Sequence, residues 1–448
     1  MTYFSKINLL SGMCSFLLAL PLTFALSFNV FAESLSRSMV EKLWRDNNPD
    51  LKIAAIAISG ARGDLAAADR APNPNFSLST SQISTRTGIG PGPLPDKSID
   101  SALRLEQTWE RGGKRESRSR AGSARVSAAI ADAADAERQG LIQLYGAYWD
   151  LKLAIERERL SQAAADLARQ STEASAKRLK EGDISGADFA KLQVEALHAE
   201  NDARSAVADR EKAQFGLAVL IRREQDANDI LSADDWPPLK LPALMMPDAA
   251  PLNVRLENER FDVQAAKRRI EAAVAARDGA KALATRDITF GVQFEHYPPA
   301  AGLSPNNTLG VSVAIPLFAS SSYYRGEILR AEADLDTAQK IADRTRAQAK
   351  QEVARAMSDL RASFERCDRL VHALLPAAER VAKANEFAYA SGGIGLLDLL
   401  DARRSLRQIQ LEAVTAHGDF AKALSAWQLQ FPRALNHELE KREITYGK

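Results

Sequence analysis

Asp398 and Asp401 are the residues whose types and spacing most clearly suggest chemistry. Residues three positions apart lie on one face of a helix. In a symmetric oligomer such a face would gather several carboxylates around one axis, where they repel one another and attract cations at a constriction. A purely structural role also fits, because acidic residues in the first turn of a helix are stabilised by the helix dipole.

Other kinds of chemistry find little support. The five histidines have no second His or Cys at ligand spacing, so we expect no metal site; they are His198, His296, His372, His417 and His437. The chain has no Gly-rich phosphate loop and no G-x-S-x-G motif, so we expect neither an enzyme nor a cofactor. With 59 Lys and Arg against 58 Asp and Glu, nothing favours nucleic acid as a partner.

Residues 1–32 have the pattern of an export signal. Lys6 is their only charge, a long apolar run follows it, and residues 30–32 fit a small-x-small cleavage site. An uncleaved membrane anchor is the alternative, because the apolar run is long enough to span a bilayer. A lipid anchor on Cys14 is disfavoured by Met13, which stands where a small residue is required.

Two long helical stretches, 117–179 and 325–390, dominate the rest of the chain. Each ends in a glycine turn followed by a return helix, at 188–224 and 396–430. Apolar residues recur in the second stretch at alternating steps of four and three, which predicts a coiled-coil seam; they are Val353, Met357, Leu360, Phe364, Cys367, Val371 and Leu374.

The chain also repeats its plan once. An offset of 210 residues places Gly182 on Gly392, Ile184 on Ile394 and Asp188 on Asp398. We therefore expect a leader at 1–32 and two structural repeats at 33–240 and 241–448, each with a helix, two strands, a long helix and a return helix. The 225–255 connector, rich in proline, is predicted to be an irregular strap.

Four segments have the alternating pattern of strands, at 75–85, 102–111, 287–297 and 308–318. Strands of about ten residues with alternating polar and apolar positions suit a membrane barrel. Four strands cannot close a barrel, and open edges are not tolerated in lipid, so three chains would have to share twelve strands. A soluble four-stranded sheet beside helical hairpins is the alternative.

In this order of elements the sequence resembles the TolC family of outer-membrane efflux channels, most closely the heavy-metal branch represented by CzcC and CusC. The resemblance covers essentially the whole mature chain. It is carried by four segments: 105–115 (LEQTWERGGKR), 315–318 (IPLF), 178–188 and 389–402.

The resemblance implies a mainly α fold with a transmembrane β part. Three chains would form a 12-stranded barrel through the outer membrane of a Gram-negative bacterium and a long coiled-coil tunnel in the periplasm. It implies a passive exit duct that meets a periplasmic adaptor protein and an inner-membrane RND pump, and that exports heavy-metal cations of the cobalt/zinc/cadmium or copper class. Export of organic compounds and a non-channel periplasmic scaffold are the alternatives.

The resemblance also suggests roles for the turns. Asp398 and Asp401 match an aspartate ring at the periplasmic entrance, and Tyr389 matches a tyrosine that helps to close it. The adaptor would contact both turns through Gly182, Ile184, Ser185, Asp188, Gly392 and Ile394. Ser185 and Asp188 also fit simple helix capping.

The start of the first long stretch is basic, and aromatic residues stand near the strand ends. Lys114, Arg115, Arg118 and Arg120 could mark the periplasmic rim of the barrel. The aromatic residues would form the girdle at the lipid interface; they are Trp109, Phe318, Tyr323 and Tyr324. A solvated helix start is the alternative for the charges.

Overall fold

The computed structural model describes residues 33–93, 96–242, 249–298 and 306–431. The predicted leader, 1–32, and His437 lie outside these residues. The first half contains β1 (Glu33–Leu35), α1 (Arg37–Asn47), α2 (Pro49–Ala68), β2 (Asn75–Ser81), β3 (Asp100–Trp109), α3 (Lys114–Glu181) and α4 (Gly186–Ile221). The second contains α5 (Ala249–Glu259), α6 (Phe261–Ala282), β5 (Ile288–Tyr297), β6 (Asn306–Ala314), α7 (Arg325–Arg369), α8 (Leu375–Ala390) and α9 (Leu396–Gln428). A short 3-10 helix (Glu224–Asp229) and β4 (Ile230–Ser232) lie between the halves.

The helices form one layer. Along this layer the order is α2 with α4, then α3, then α6 with α9, then α7. Helix α3 has 68 residues, which is about 100 Å at 1.5 Å per residue. The strands follow the same order, because β2, β3, β5 and β6 form one antiparallel sheet. The layer therefore runs without interruption from sheet to helices.

The observed strands end earlier than three of the predicted segments. Strand β2 stops at Ser81 because Gln82 has a positive φ of 61°. Strand β3 stops at Trp109, before Gly112 and Gly113, both with positive φ. Strand β6 ends at Ala314, two residues before a proline that has no N–H for the ladder.

Helices α7 and α8 are joined by a π-helical turn, Leu370–Leu374, so the predicted 325–390 stretch is continuous but irregular. Pro376 follows this turn; its ring would clash with the carbonyl of residue 372 in a regular α-helix, and the wider turn relieves the clash. The extra residue also shifts the seam. Leu374, predicted to lie on it, is 44% exposed, whereas Leu360 and Cys367 are buried.

The connector is less irregular than predicted. Within 225–255 the 3-10 helix, β4 and the start of α5 are regular, and the residues 233–242 form the strap. Strand β4 pairs in parallel with β1, and Trp236 of the strap stacks between Trp149 and His417 at ring-centroid distances of 5.8 Å. The strap thus fastens the middle of α3 to α9.

The main core lies where β1 and α1 cross α3. Leu35, Val40 and Trp44 are buried there with Tyr148. Gly140 makes this contact possible, because a Cβ at that position would lie 2.3 Å from Cζ2 of Trp44. The Tyr148 hydroxyl donates a hydrogen bond to the Leu35 carbonyl at 3.1 Å and ties β1 to α3.

Candidate functional site

The turn between α8 and α9 contains the predicted entrance residues. Gly392 has a φ of 76°, which favours glycine, and the Gly393 N–H donates to the Ala388 carbonyl at 2.8 Å. These contacts end α8 with a left-handed cap, and Gly395 is the N-cap of α9. Ile394, which lies between Gly393 and Gly395 in the sequence, is half-buried.

Asp398 and Asp401 lie on the exposed face of α9. Leu399 and Leu400, between them, are buried. The Oδ2 atom of Asp398 accepts the N–H of Gly395 at 3.3 Å, so this carboxylate caps its own helix. Asp401 has a side chain 67% exposed and lies 3.9 Å from a guanidinium nitrogen of Arg404. The structure thus gives Asp398 the capping role that the sequence left open and leaves Asp401 largely solvated.

Tyr389 lies on the last turn of α8, three residues before Gly392, and is half-buried. Its carbonyl accepts the Gly392 N–H at 3.0 Å. Its hydroxyl has no hydrogen-bond partner among the described residues, so it is available to a group outside them.

The first turn, between α3 and α4, uses its polar groups locally. Gly182 has a φ of 85°, and the Asp183 N–H donates to the Arg178 carbonyl at 2.9 Å. Ser185 Oγ accepts the Asp188 N–H at 3.0 Å and donates to Asp188 Oδ2 at 2.8 Å.

Lys191 completes this arrangement, because its Nζ lies 3.1 Å from Asp188 Oδ1. The hydrogen bond from Ser185 and then the Lys191 ammonium hold the pKa of the Asp188 carboxyl below its usual range. The Asp188 carboxylate is therefore paired within the first turn, whereas the Asp183 carboxylate of the same turn is exposed. Ile184, its predicted adaptor contact, is half-buried.

Three arginines of α9 that the sequence analysis did not single out tie the two helical hairpins together near these turns. Arg403 bonds Glu386 of α8 and the Ser171 hydroxyl of α3. Arg404 lies 2.6 Å from Glu195, and this hydrogen bond raises the pKa of the arginine. Arg407 lies 2.8 Å from Asp202. The sequence feature that could have identified these arginines is their spacing, at positions i, i+1 and i+4 of one helix.

No metal centre is found among the described residues. They contain no group of three or more His, Cys, Asp or Glu that could hold an ion. Cys367 is a buried free thiol, and burial raises its pKa to about 11, so it is unreactive at neutral pH. Within the same part of the chain, every helix is too short or too polar to cross a bilayer.

Comparison with known proteins identifies the family. A model of the family described as "Outer membrane efflux protein" matches residues 42–221 and 252–428. The cobalt-zinc-cadmium resistance protein CzcC of Cupriavidus metallidurans is 24% identical over 381 residues, covering 84% of this chain and 85% of that protein.

Solved structures share the fold. The CmeC outer membrane channel of Campylobacter jejuni superposes with a TM-score of 0.73 at 16% identity, covering 90% of this chain and 88% of that one. The outer membrane protein VceC of Vibrio cholerae gives a TM-score of 0.70 at 19% identity, covering 88% and 96%. The predicted TolC-like fold is confirmed. The chain belongs to the outer membrane efflux protein family, and is an outer-membrane channel with a periplasmic helical tunnel rather than an enzyme.

Proposed function

We propose that the chain forms a homotrimeric exit duct for heavy-metal cations, fed by an inner-membrane RND pump through a periplasmic adaptor. The observation that supports this assembly most directly is the layer itself, which has two unpartnered edges. Within the part of the chain that the structure describes, strands β2 and β6 each pair on one side only. An open strand edge cannot lie in lipid, so β6 of one copy would pair with β2 of the next.

The helices at the two edges support the same closure. On the α2 and α4 side, exposed apolar side chains include Ile53, Ile56, Val194, Leu197, Phe215 and Val219. On the α7 and α8 side they include Leu329, Ile341, Val381 and Phe387. These two surfaces differ, so their contact is heterologous and closes only as a ring. Three copies would give twelve strands and a closed helical tunnel.

In this assembly the turns lie at the tunnel entrance. Asp398 and Asp401 would contribute six carboxylates around the axis, and Tyr389 would hydrogen-bond a neighbouring copy. The adaptor would contact both turns, at Gly182, Ile184, Ser185, Asp188, Gly392 and Ile394. The two repeats, 33–240 and 241–448, would alternate around the ring.

The proposed cargo rests on two considerations. CzcC, similar along most of its length, is named for resistance to cobalt, zinc and cadmium. A ring of carboxylates at a constriction also raises the local concentration of cations. Both favour metal cations over organic compounds as the exported class.

The test is conductance in planar bilayers of the detergent-extracted protein, with its oligomeric mass measured in parallel. We expect a trimer with small channels that divalent cations block. A monomer without channels would refute the duct. The cargo is tested separately by deleting the gene in its host and measuring growth in cobalt, zinc, cadmium and copper salts. Sensitivity to organic compounds alone would refute the metal assignment.

A further inference from the structure

The basic residues expected at the membrane rim form ion pairs with acidic residues of the same chain. Lys114 Nζ lies 2.8 Å from an oxygen of Asp287, and Arg118 lies 2.6 Å from Glu110. Arg115 lies 3.4 Å from Asp69 and Arg120 lies 3.5 Å from Asp278. Lys114 and Arg118 thus hold α3 to the strand ends, and Arg115 and Arg120 hold it to the neighbouring helices α2 and α6.

Four other arginines lie at the same junction and are exposed. Arg70 precedes β2, Arg111 follows β3, Arg286 precedes β5, and Arg325 begins α7 after β6. None of their guanidinium groups has a hydrogen bond or ion pair among the described residues. Each of the four connections between sheet and helix thus carries one unpaired arginine.

The sheet register brings these arginines to one level. Asn75 at the start of β2 pairs with Glu106 near the end of β3, and Trp109 pairs with Ile288 at the start of β5. Thr289 pairs with Ala314 at the end of β6. The Lys281–Glu332 ion pair, at 3.1 Å, aligns the end of α6 with the second turn of α7, and so places Arg325 near the level of Arg286.

Exposed aromatic side chains lie beside them. Trp109 ends β3, and Phe318 and Tyr323 lie in the segment between β6 and α7. Tyr323 and Tyr324 contact each other edge to face, with ring centroids 5.0 Å apart. Large aromatic rings at this depth are typical of the interface between hydrocarbon and headgroups. The arginines therefore lie at headgroup level.

We propose that this belt of Arg70, Arg111, Arg286 and Arg325 binds the phosphate groups of anionic phospholipids in the membrane leaflet nearest the helices. A guanidinium donates two parallel hydrogen bonds to a phosphate. The phosphate of phosphatidylglycerol leaves the headgroup with a net negative charge, whereas the choline cation of phosphatidylcholine offsets it, so the belt should favour the anionic lipid. Glu116 and Glu327 also lack partners among the described residues, but they lie in the first turns of α3 and α7, where the helix dipole stabilises them.

The inference needs the outer-membrane location of the family and does not depend on the cargo. It is tested on the full-length protein by native mass spectrometry, counting the lipids retained after mixing with phosphatidylglycerol or phosphatidylcholine. The test variant combines R70Q, R111Q, R286Q and R325Q. The control combines K177Q, R178Q, K180Q and K383Q, which removes the same charge from exposed positions near the turns.

We expect the wild type to retain on the order of tenfold more phosphatidylglycerol than phosphatidylcholine, and the test variant to retain the two lipids about equally. The control should keep the wild-type preference. Equal retention of both lipids by the wild type, or an undiminished preference in the test variant, would overturn the proposal. Saturation of the same arginines by inorganic phosphate alone, without a preference between lipids, would also overturn it.

Folding is checked on the same samples through oligomeric mass and conductance. Two half variants, R70Q with R286Q and R111Q with R325Q, provide a milder test. Each should lose part of the lipid preference while keeping the wild-type mass and channel. If the wild type proves not to be a trimer, the proposed duct is refuted, but its preference between the two lipids can still be measured.

Discussion

The two halves of the chain follow one order of elements, yet the break between their first two helices is stabilised by different contacts. In the first half a single residue, Asn48, separates α1 from α2, and its Oδ1 accepts the Asp50 N–H at 2.7 Å. In the second half Arg260 separates α5 from α6. It is fully buried and lies 2.8 Å from both Asp262 and Glu352. The same break is thus a local cap in one half and an ionic junction in the other.

The neighbouring helices show the same contrast. In the first half, Trp44 of α1 packs into the space left by Gly140 of α3. In the second half, Arg255 of α5 lies 3.9 Å from the centroid of the Phe431 ring. At these two contacts the first half relies on space left by a glycine and the second on a cation, so they should respond differently to loss of a charge and loss of space.

The turns differ as well. In the first turn, the Asp188 carboxylate accepts a hydrogen bond from Ser185 and forms an ion pair with Lys191. In the second, the position equivalent to Lys191 is Asp401, which adds a negative charge instead of neutralising one. The repeat therefore gives two similar turns, of which the second has a carboxylate at the position where the first has an ammonium group.

The largest expected effect is at Arg260. Arg260→Ala removes the guanidinium that joins Asp262 and Glu352 and should destabilise the fold by about 3 kcal/mol. Asn48→Ala should cost only about 1 kcal/mol, the typical value of a lost N-cap. Thermal unfolding in detergent compares them. Arg268→Ala, which breaks an exposed pair with Glu271 on the same helix, serves as control and should change little. Equal losses at Arg260 and Asn48 would contradict the contrast.

The next prediction concerns the space that Gly140 of α3 leaves for the Trp44 ring. Gly140→Ala would place a methyl group against the Trp44 ring and should cost about 2 kcal/mol through overpacking. Gly146→Ala on the same helix meets no atom within 4 Å and should be stabilising by up to about 1 kcal/mol. The same unfolding measurement separates them. If the two variants unfold at the same temperature, the contact between Trp44 and Gly140 is not what holds α1 against α3.

The turns are compared by cation block. The double variant D398N/D401N should raise the divalent concentration needed for half-block of reconstituted channels on the order of tenfold, because it removes the attracting charge. Asp188→Asn in the first turn should leave block unchanged, since Lys191 already neutralises that carboxylate. A similar loss of block in both variants would place cations at both turns.

Much of this architecture could be predicted because its signals are local. Glycine turns, helix length and strand alternation identified the hairpins and the sheet. What the sequence could not give depends on contacts between distant elements. Arg260 meets Glu352 and Gln430 across long stretches of chain, and Trp44 finds Gly140 only after folding. The same holds for the partners of Lys114 and Arg118, because Asp287 is distant in sequence from Lys114 and Glu110 is brought to Arg118 by the turn before α3.

A smaller effect should distinguish the halves by pH. His417 stacks on Trp236, whereas the position 210 residues earlier is Val207. Burial, and then the charge of His372 on the π turn, lower the pKa of His417.

Nearby charges on the packed elements are engaged elsewhere: Asp150 with Lys422, Arg366 with Asp419, Asp368 with His372, and Asp234 with the Arg37 N–H. Because the folded state holds His417 neutral, its contribution to stability is complete above the unfolded pKa of about 6.5 and is lost as the pH falls through the lower folded value.

Hydrogen exchange in the strap, 233–242, corrected for intrinsic rates, should therefore rise severalfold between pH 7.5 and pH 5. His417→Phe keeps an aromatic ring on Trp236 but cannot be protonated, so exchange in this variant should lose most of its pH dependence. His372→Gln removes only the secondary cause and should retain most of it. If His417→Phe responds to pH as the wild type does, a group other than His417 controls exchange in the strap.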